Sequence, residues 1–169
     1  MGLEAINAAS DAEACNLFMQ CCTSREWVRR MVASRPYATP EDVRVQADAH
    51  WATLGEADLL EAFEGHPKIG DVNSLKAKYS STKALAAGEQ SSVDEAGDAI
   101  IEALARGNSE YEEKFGFIFI VCATGKSARE MSGLLQARLP NDRATELANA
   151  AGEQRKIFQI RLSKLLEGQ

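Results

Sequence analysis

Histidine is the side chain whose free pKa lies nearest neutrality, so it can accept or donate a proton at pH 7. This chain of 169 residues contains two, His50 and His66. His66 stands in Gly65-His66-Pro67-Lys68-Ile69-Gly70-Asp71, where a proline and two glycines predict a stiff, irregular loop after a helix. Such a loop is a good place to hold a proton-transfer group. On spacing alone the stronger reading is plainer, a turn whose histidine meets the carbonyl end of the preceding helix. Glu89 and Gln90, after Gly88, offer a carboxylate and an amide that could orient an imidazole or bind a urea-like group; an exposed Glu-Gln pair is otherwise commonplace. Arg161 could recognise a carboxylate by a bidentate pair, or be a solvated or salt-bridged helix residue.

Thr124-Gly125-Lys126-Ser127 looks like the end of a phosphate loop. The full pattern needs a further glycine, at a position that here is Ile120, so the motif fails and a helix cap is the better reading. Neither histidine belongs to an HExxH, and no CxxC pair joins Cys15, Cys21, Cys22 and Cys122. A dedicated metal site is therefore not expected. The cysteines read as reduced thiols of a cytosolic protein.

The elements that must position these residues are helices. Asp11 is placed to cap a segment with Cys15, Phe18, Met19 and Cys22 at near-helical spacing. Trp27, Val28, Met31 and Val32 continue it or open another, and Arg35-Pro36-Tyr37 breaks the pattern. Thr39-Pro40-Glu41-Asp42 starts a helix through Val43, Ala47 and His50 toward Trp51 and Leu54. Residues 56–63 make a short one with Leu59, Leu60 and Phe63. Residues 74–90 are polar and rich in Ala, Lys and Ser. Ser92 and Glu95 match a capping box for a helix with Ile100, Ile101 and Leu104, ended by Gly107-Asn108. Ser127 and Glu130 form a second box, before Met131, Leu134, Leu135 and Leu139. Pro140-Asn141-Asp142 turns the chain into a last helix with Leu147, Ala150, Ile157, Ile160, Leu162 and Leu165.

Residues 117–123 depart from this pattern. Aromatic and β-branched types suit a short buried strand or an extended segment. No second strand is evident, so the backbone groups of this stretch need other partners, for example a ligand. The expected fold is all-α: one domain over residues 1–169, about seven to nine helices by ordinary helix length, and one extended apolar segment.

Composition narrows the function classes. A formal net charge of −6 and no basic stripe argue against nucleic acid. The longest apolar run, residues 115–123, is far short of the roughly 20 residues a membrane span needs. No signal peptide is evident, and Ser163-Lys164-Leu165 is internal rather than a terminal peroxisomal signal, so the cytoplasm is expected.

Ordered along the chain, these segments resemble one family. The pieces are Trp27-Val28, Arg35-Pro36-Tyr37 and Glu61-Ala62-Phe63 with His66-Pro67-Lys68-Ile69-Gly70-Asp71. They continue through Glu89-Gln90, residues 115–121, Lys126-Ser127-Ala128-Arg129-Glu130-Met131 and Arg138-Leu139-Pro140-Asn141-Asp142, and close with Lys156-Ile157 and Arg161-Leu162. Each is weak; their order and spacing are specific. The chain resembles the decarboxylases of 2-oxo-4-hydroxy-4-carboxy-5-ureidoimidazoline (OHCU).

The resemblance implies a cofactor-free helical enzyme that forms (S)-allantoin with loss of CO2, and a homodimer. It places the catalytic histidine on His66, with Glu89 as its catalytic companion. Substrate contacts fall on Pro67, on Ala86, Ala87, Gly88, Glu89 and Gln90, on Phe117, Ile118, Phe119, Ile120 and Val121, and on Arg161. The family usually carries serine where this chain has Ala86, which puts one hydroxyl contact in doubt. Two other readings are the same fold acting on a different ureide, and a helical module that binds a purine metabolite without turnover.

Overall fold

The computed structural model of the protein describes residues 2–66 and 91–167, the latter with side chains from residue 97 onward. Among the described residues there are eight α-helices and no strand, so the all-α expectation holds. The chain forms two compact units. One is Met1–His66 with Ala150–Gln169, and the other is Pro67–Asn149.

The first unit contains α1 (Leu3–Ala8), α2 (Asp11–Met19), α3 (Arg25–Ala33), α4 (Pro40–Ala52) and α5 (Glu56–Glu64). Local chemistry sets their starts. Thr39 and Asp42 cap α4 reciprocally, with Pro40 in the first turn. The cap of α2 is Ser10, not Asp11: Ser10 Oγ accepts from Glu13 N at 3.1 Å, and Asp11 becomes an acidic first-turn residue. A separate cap, Ser24, opens α3, so Trp27 and Val28 begin a new helix. Arg35 closes α1 by donating to Ile6 O at 2.9 Å and Ala9 O at 2.6 Å.

The core of this unit is aromatic. Phe18 meets Trp27 at 6.1 Å between ring centroids, Trp27 meets Phe158 at 5.1 Å, and Phe158 meets Trp51 at 5.6 Å. Fully burying such a side chain contributes about 1.5–3 kcal/mol. Both indole N–H groups find carbonyls, Trp27 on Ala47 O and Trp51 on Ala151 O, each at 3.0 Å.

The second unit contains α6 (Ser91–Phe115) and α7 (Ala128–Arg138). The Ser92 and Glu95 capping box falls where side chains are outside the described residues. Gly107-Asn108 does not end α6, which runs on to Phe115. The physical reason is packing. A Cβ on Gly107 would lie 2.6 Å from Leu135 Cδ2, so the glycine lets α6 and α7 approach. Asn108, buried, donates to Leu104 O at 2.8 Å and so stays helical. The helix stops at Gly116, whose φ of 82° suits glycine and whose N–H donates to Glu112 O at 2.8 Å. Ser127 caps α7 through Glu130 N as expected.

The last helix, α8 (Arg143–Glu167), begins in the second unit and ends in the first. Asp142 opens it by accepting from Thr145 N at 2.7 Å. Its buried positions are Glu146, Ala150, Gln154, Phe158 and Leu162, a strict four-residue register. The apolar pattern alone marked Ile157 and Ile160, which are half-buried, and passed over Phe158, which is fully buried.

Candidate active site

His66 follows α5 directly, and its N–H donates to Phe63 O at 3.2 Å. The turn is fixed by Thr23. Thr23 Oγ1 donates toward Glu61 O and Ala62 O, both at 3.3 Å, satisfying end carbonyls of α5. Thr23 also fills the space beside Gly65, where an added Cβ would sit 2.0 Å from Thr23 Oγ1. Glu61 binds Arg25 twice, accepting from its backbone N at 2.7 Å and its Nε at 2.8 Å. The glycine before His66 is therefore required by a close approach, which the sequence could not show.

The His66 ring meets a residue that sequence reasoning did not single out. Its Nε2 is hydrogen-bonded to Oε1 of Gln154 on α8. A carbonyl oxygen only accepts, so Nε2 carries the hydrogen and the neutral ring has its lone pair on Nδ1. Arg161, two turns further along α8, donates to Cys21 O at 3.3 Å, and its charge acts on His66. Burial is the largest influence on His66 and lowers its pKa. The hydrogen bond to Gln154 opposes this, and Arg161 adds to the lowering. The balance is a histidine that is neutral at pH 7.

Cys21 and Cys22 are not reactive thiols. Burial pushes each up to about 12, so they stay protonated at neutral pH. Among the described residues no group of three or more His, Cys, Asp or Glu side chains could hold a metal ion.

In the second unit, residues 117–123 are neither helix nor strand, and Phe117 lies in a bend. Phe117 and Phe119 turn inward onto Tyr111, at 5.9 and 5.2 Å between centroids. Arg138 fixes the stretch, donating to Ile120 O at 2.7 Å and lying 4.6 Å over the Phe119 ring. Arg138 is itself held by the fully buried Glu146, whose Oε1 accepts from Arg138 Nε at 2.7 Å and from Tyr111 Oη at 2.6 Å. Asn141 and Asn149 donate to Glu146 Oε2 at 2.9 and 2.7 Å. Thus the protein satisfies the carbonyls of Ile120, of Cys122 (by Lys126 Nζ at 2.7 Å) and of Ala123 (by Lys126 N at 3.0 Å). Among the described residues, the backbone groups of Ile118, Phe119 and Val121 make no hydrogen bond.

The residues singled out from the sequence fall in separate places. His66 and Arg161 both lie in the first unit, where His66 meets Gln154 and feels the Arg161 charge. Phe117, Ile118, Phe119, Ile120 and Val121 lie on the irregular stretch of the second. Pro67, Ala86, Ala87, Gly88, Glu89 and Gln90 lie outside the described residues. Gln154 and Arg138 were missed as functional because a glutamine or arginine in a polar helix carries no local signal. The one available clue to Gln154 was its four-residue spacing from Ala150 and Phe158.

Comparison with known proteins identifies the family. A family model described as OHCU decarboxylase matches residues 7–163. The chain is 30% identical over 139 residues to a 2-oxo-4-hydroxy-4-carboxy-5-ureidoimidazoline decarboxylase of Amia calva, covering 80% of this chain and 77% of that one. It is 34% identical over 145 residues to the uric acid degradation bifunctional protein TTL of Arabidopsis thaliana, covering 86% of this chain. It spans only 45% of that relative and 32% of a bifunctional protein from Bacillus sp. (strain TB-90). A crystal structure of an OHCU decarboxylase in the presence of (S)-allantoin superposes with a TM-score of 0.70 at 32% identity, covering 94% of this chain and 99% of that one. The chain belongs to the OHCU decarboxylase family.

Proposed function

We propose that this chain is a carboxy-lyase of urate breakdown that converts 2-oxo-4-hydroxy-4-carboxy-5-ureidoimidazoline to (S)-allantoin and CO2, with His66 as the proton-transfer residue. The observation that carries the reading is the placement of His66, held on a fixed turn with its Nε2 hydrogen-bonded to Gln154 and its pKa lowered by burial and by the Arg161 charge, in a chain of this family. The substrate bears its carboxylate and hydroxyl on one ring carbon. When the C–CO2 bond breaks, its electron pair moves into the adjacent unsaturated ring system, so the reaction needs no added electron sink. Overall the substrate anion loses CO2 and its ring takes up one proton from outside. The protein must orient the ring, stabilise developing charge and deliver a proton to one face.

A neutral His66 is suited to accept the ring hydroxyl proton and return it to the neighbouring carbon. Glu89 is its catalytic companion, holding the imidazole tautomer or binding the ureido group. Arg161 anchors an anionic or carbonyl oxygen. Pro67, Ala86, Ala87, Gly88 and Gln90 contribute further contacts. The backbone groups of Ile118, Phe119 and Val121, which make no hydrogen bond among the described residues, suit the amide edge of the ring, flanked by Phe117 and Ile120. The proposal extends to action of residues 1–169 as one domain, to a homodimer, and to a place in the cytoplasm. Among the described residues no helix is long and apolar enough to cross a membrane.

The test generates the substrate in situ from urate with upstream enzymes and follows the chirality of the allantoin formed. His66→Ala is expected to leave only racemic product at the spontaneous rate, with helical circular dichroism unchanged. Full activity of that variant would sink the assignment. Gln90→Ala is expected mainly to raise KM, and an unchanged KM removes Gln90 from the site.

A further inference from the structure

Gln154 is 1% exposed, on a helix whose neighbouring buried positions are the apolar Ala150 and Phe158. Its Oε1 meets His66 Nε2, while its own Nε2, equally buried, has no hydrogen-bond partner among the described residues. A buried donor left unsatisfied destabilises a fold by about 1–3 kcal/mol. A methionine of similar shape would fill this place without that cost. The amide is thus poorly explained by packing, and among the described residues its partner is the His66 ring. Both supports of that pair are rigid. Gln154 sits within the buried register of α8, and His66 is tied to Phe63 O and to the close approach of Gly65 and Thr23.

We propose that Gln154 is a positioning residue, whose carbonyl oxygen holds His66 as the Nε2–H tautomer so that Nδ1 presents the lone pair that moves the substrate proton. The inference rests on the reading of His66 as the proton-transfer residue. It also moves the task of fixing the tautomer from Glu89 to Gln154, which leaves the Glu89 carboxylate for the substrate. A second-layer partner that fixes a functional imidazole typically affects rate by about 10- to 100-fold.

The test is nitrogen NMR of the full chain labelled with 15N-histidine, at a pH where both rings are neutral, with His50→Gln used to assign the signals. Wild-type His66 is expected to show a protonated Nε2 and an unprotonated Nδ1. In Gln154→Met the ring is expected to populate both tautomers. Its kcat is expected to fall about 10- to 100-fold with KM changed less than about threefold, because the substrate contacts remain. The thermal midpoint is expected to stay level or rise, which separates positioning from a folding defect. A wild-type Nδ1–H ring, or a ring and a kcat both unmoved by Gln154→Met, overturns the proposal. An active His66→Gln enzyme instead sinks the catalytic reading of His66, whichever nitrogen carries the hydrogen.

Discussion

His50 and His66 are the chain's two histidines, and both have lowered pKa values caused first by burial. Their partners differ. His50 Nε2 lies 2.7 Å from Ser34 Oγ, which in turn donates to Arg30 O at 2.8 Å, so that ring closes a structural chain between α3 and α4. His66 has one described partner, Gln154, through Nε2, and its Nδ1 is left for chemistry. Glu146 is the matching structural case among the acids. Burial opposes its charge, but four donors, Asn141, Tyr111, Asn149 and Arg138, hold its pKa below the usual carboxylate value. A carboxylate with a depressed folded pKa adds stability that is complete above its unfolded pKa of about 4.3 and is lost as pH falls through the folded value. Glu146→Gln removes the charge and leaves Arg138, itself mostly buried, uncompensated. The expected cost at pH 7 is about 3–5 kcal/mol by urea unfolding. The difference from wild type should narrow below pH 4, as the wild-type carboxylate protonates. A difference independent of pH would show that the charge contributes nothing.

At the scale of elements, the close approach between Gly65 and Thr23 joins the end of α5 to the turn before α3. Thr23 cannot move aside without giving up Glu61 O and Ala62 O. Gly65→Ala is therefore expected to destabilise by about 1–3 kcal/mol, as overpacking does, and to lower kcat by displacing His66. Adding Thr23→Ala opens the space and should recover part of both losses, measured by urea unfolding and by (S)-allantoin formation. A fully stable and active Gly65→Ala protein would refute the steric account. What the sequence made legible follows the same division. Starts of helices are local, so Thr39 with Asp42, Ser127 with Glu130, and Asp142 could be read directly. The approach made by Gly107 is tertiary, and a glycine beside an asparagine reads as a stop when its neighbour Leu135 is unknown. His66 and Arg161 were singled out by residue type, and their roles were assigned by family resemblance. Gln154 and Arg138 were not, because their partners, His66 Nε2 and Ile120 O, are distant in the chain and visible only once it is folded.

At the scale of the whole molecule, α8 supplies Glu146 to the core of the second unit and Ala150, Gln154, Phe158 and Leu162 to the core of the first. Helix formation is cooperative along its length, so loss of α8 removes buried side chains from both units together. The expected outcome is a single thermal transition. Two exposed glycines allow a test that leaves the site alone: Gly133 in α7 and Gly152 in α8 each lie within a helix, and an added Cβ would meet nothing within 4 Å. Glycine in a helix interior costs roughly 0.5–1 kcal/mol relative to alanine. Gly133→Ala and Gly152→Ala should each raise Tm, by about 2–4 °C per kcal/mol for a chain of this size. The two positions belong to different units and share no partner, so their effects should add in the double variant. Calorimetry distinguishes the outcomes. One sharpened transition moved by the sum supports coupling through α8. Two transitions, each moved by only one substitution, would mean that the units melt separately and that α8 does not link them energetically. Activity is expected to be unchanged in Gly133→Ala. In Gly152→Ala, two residues before Gln154, it is the stricter check, because a stiffer helix should keep the His66 partner in place and leave kcat at the wild-type value.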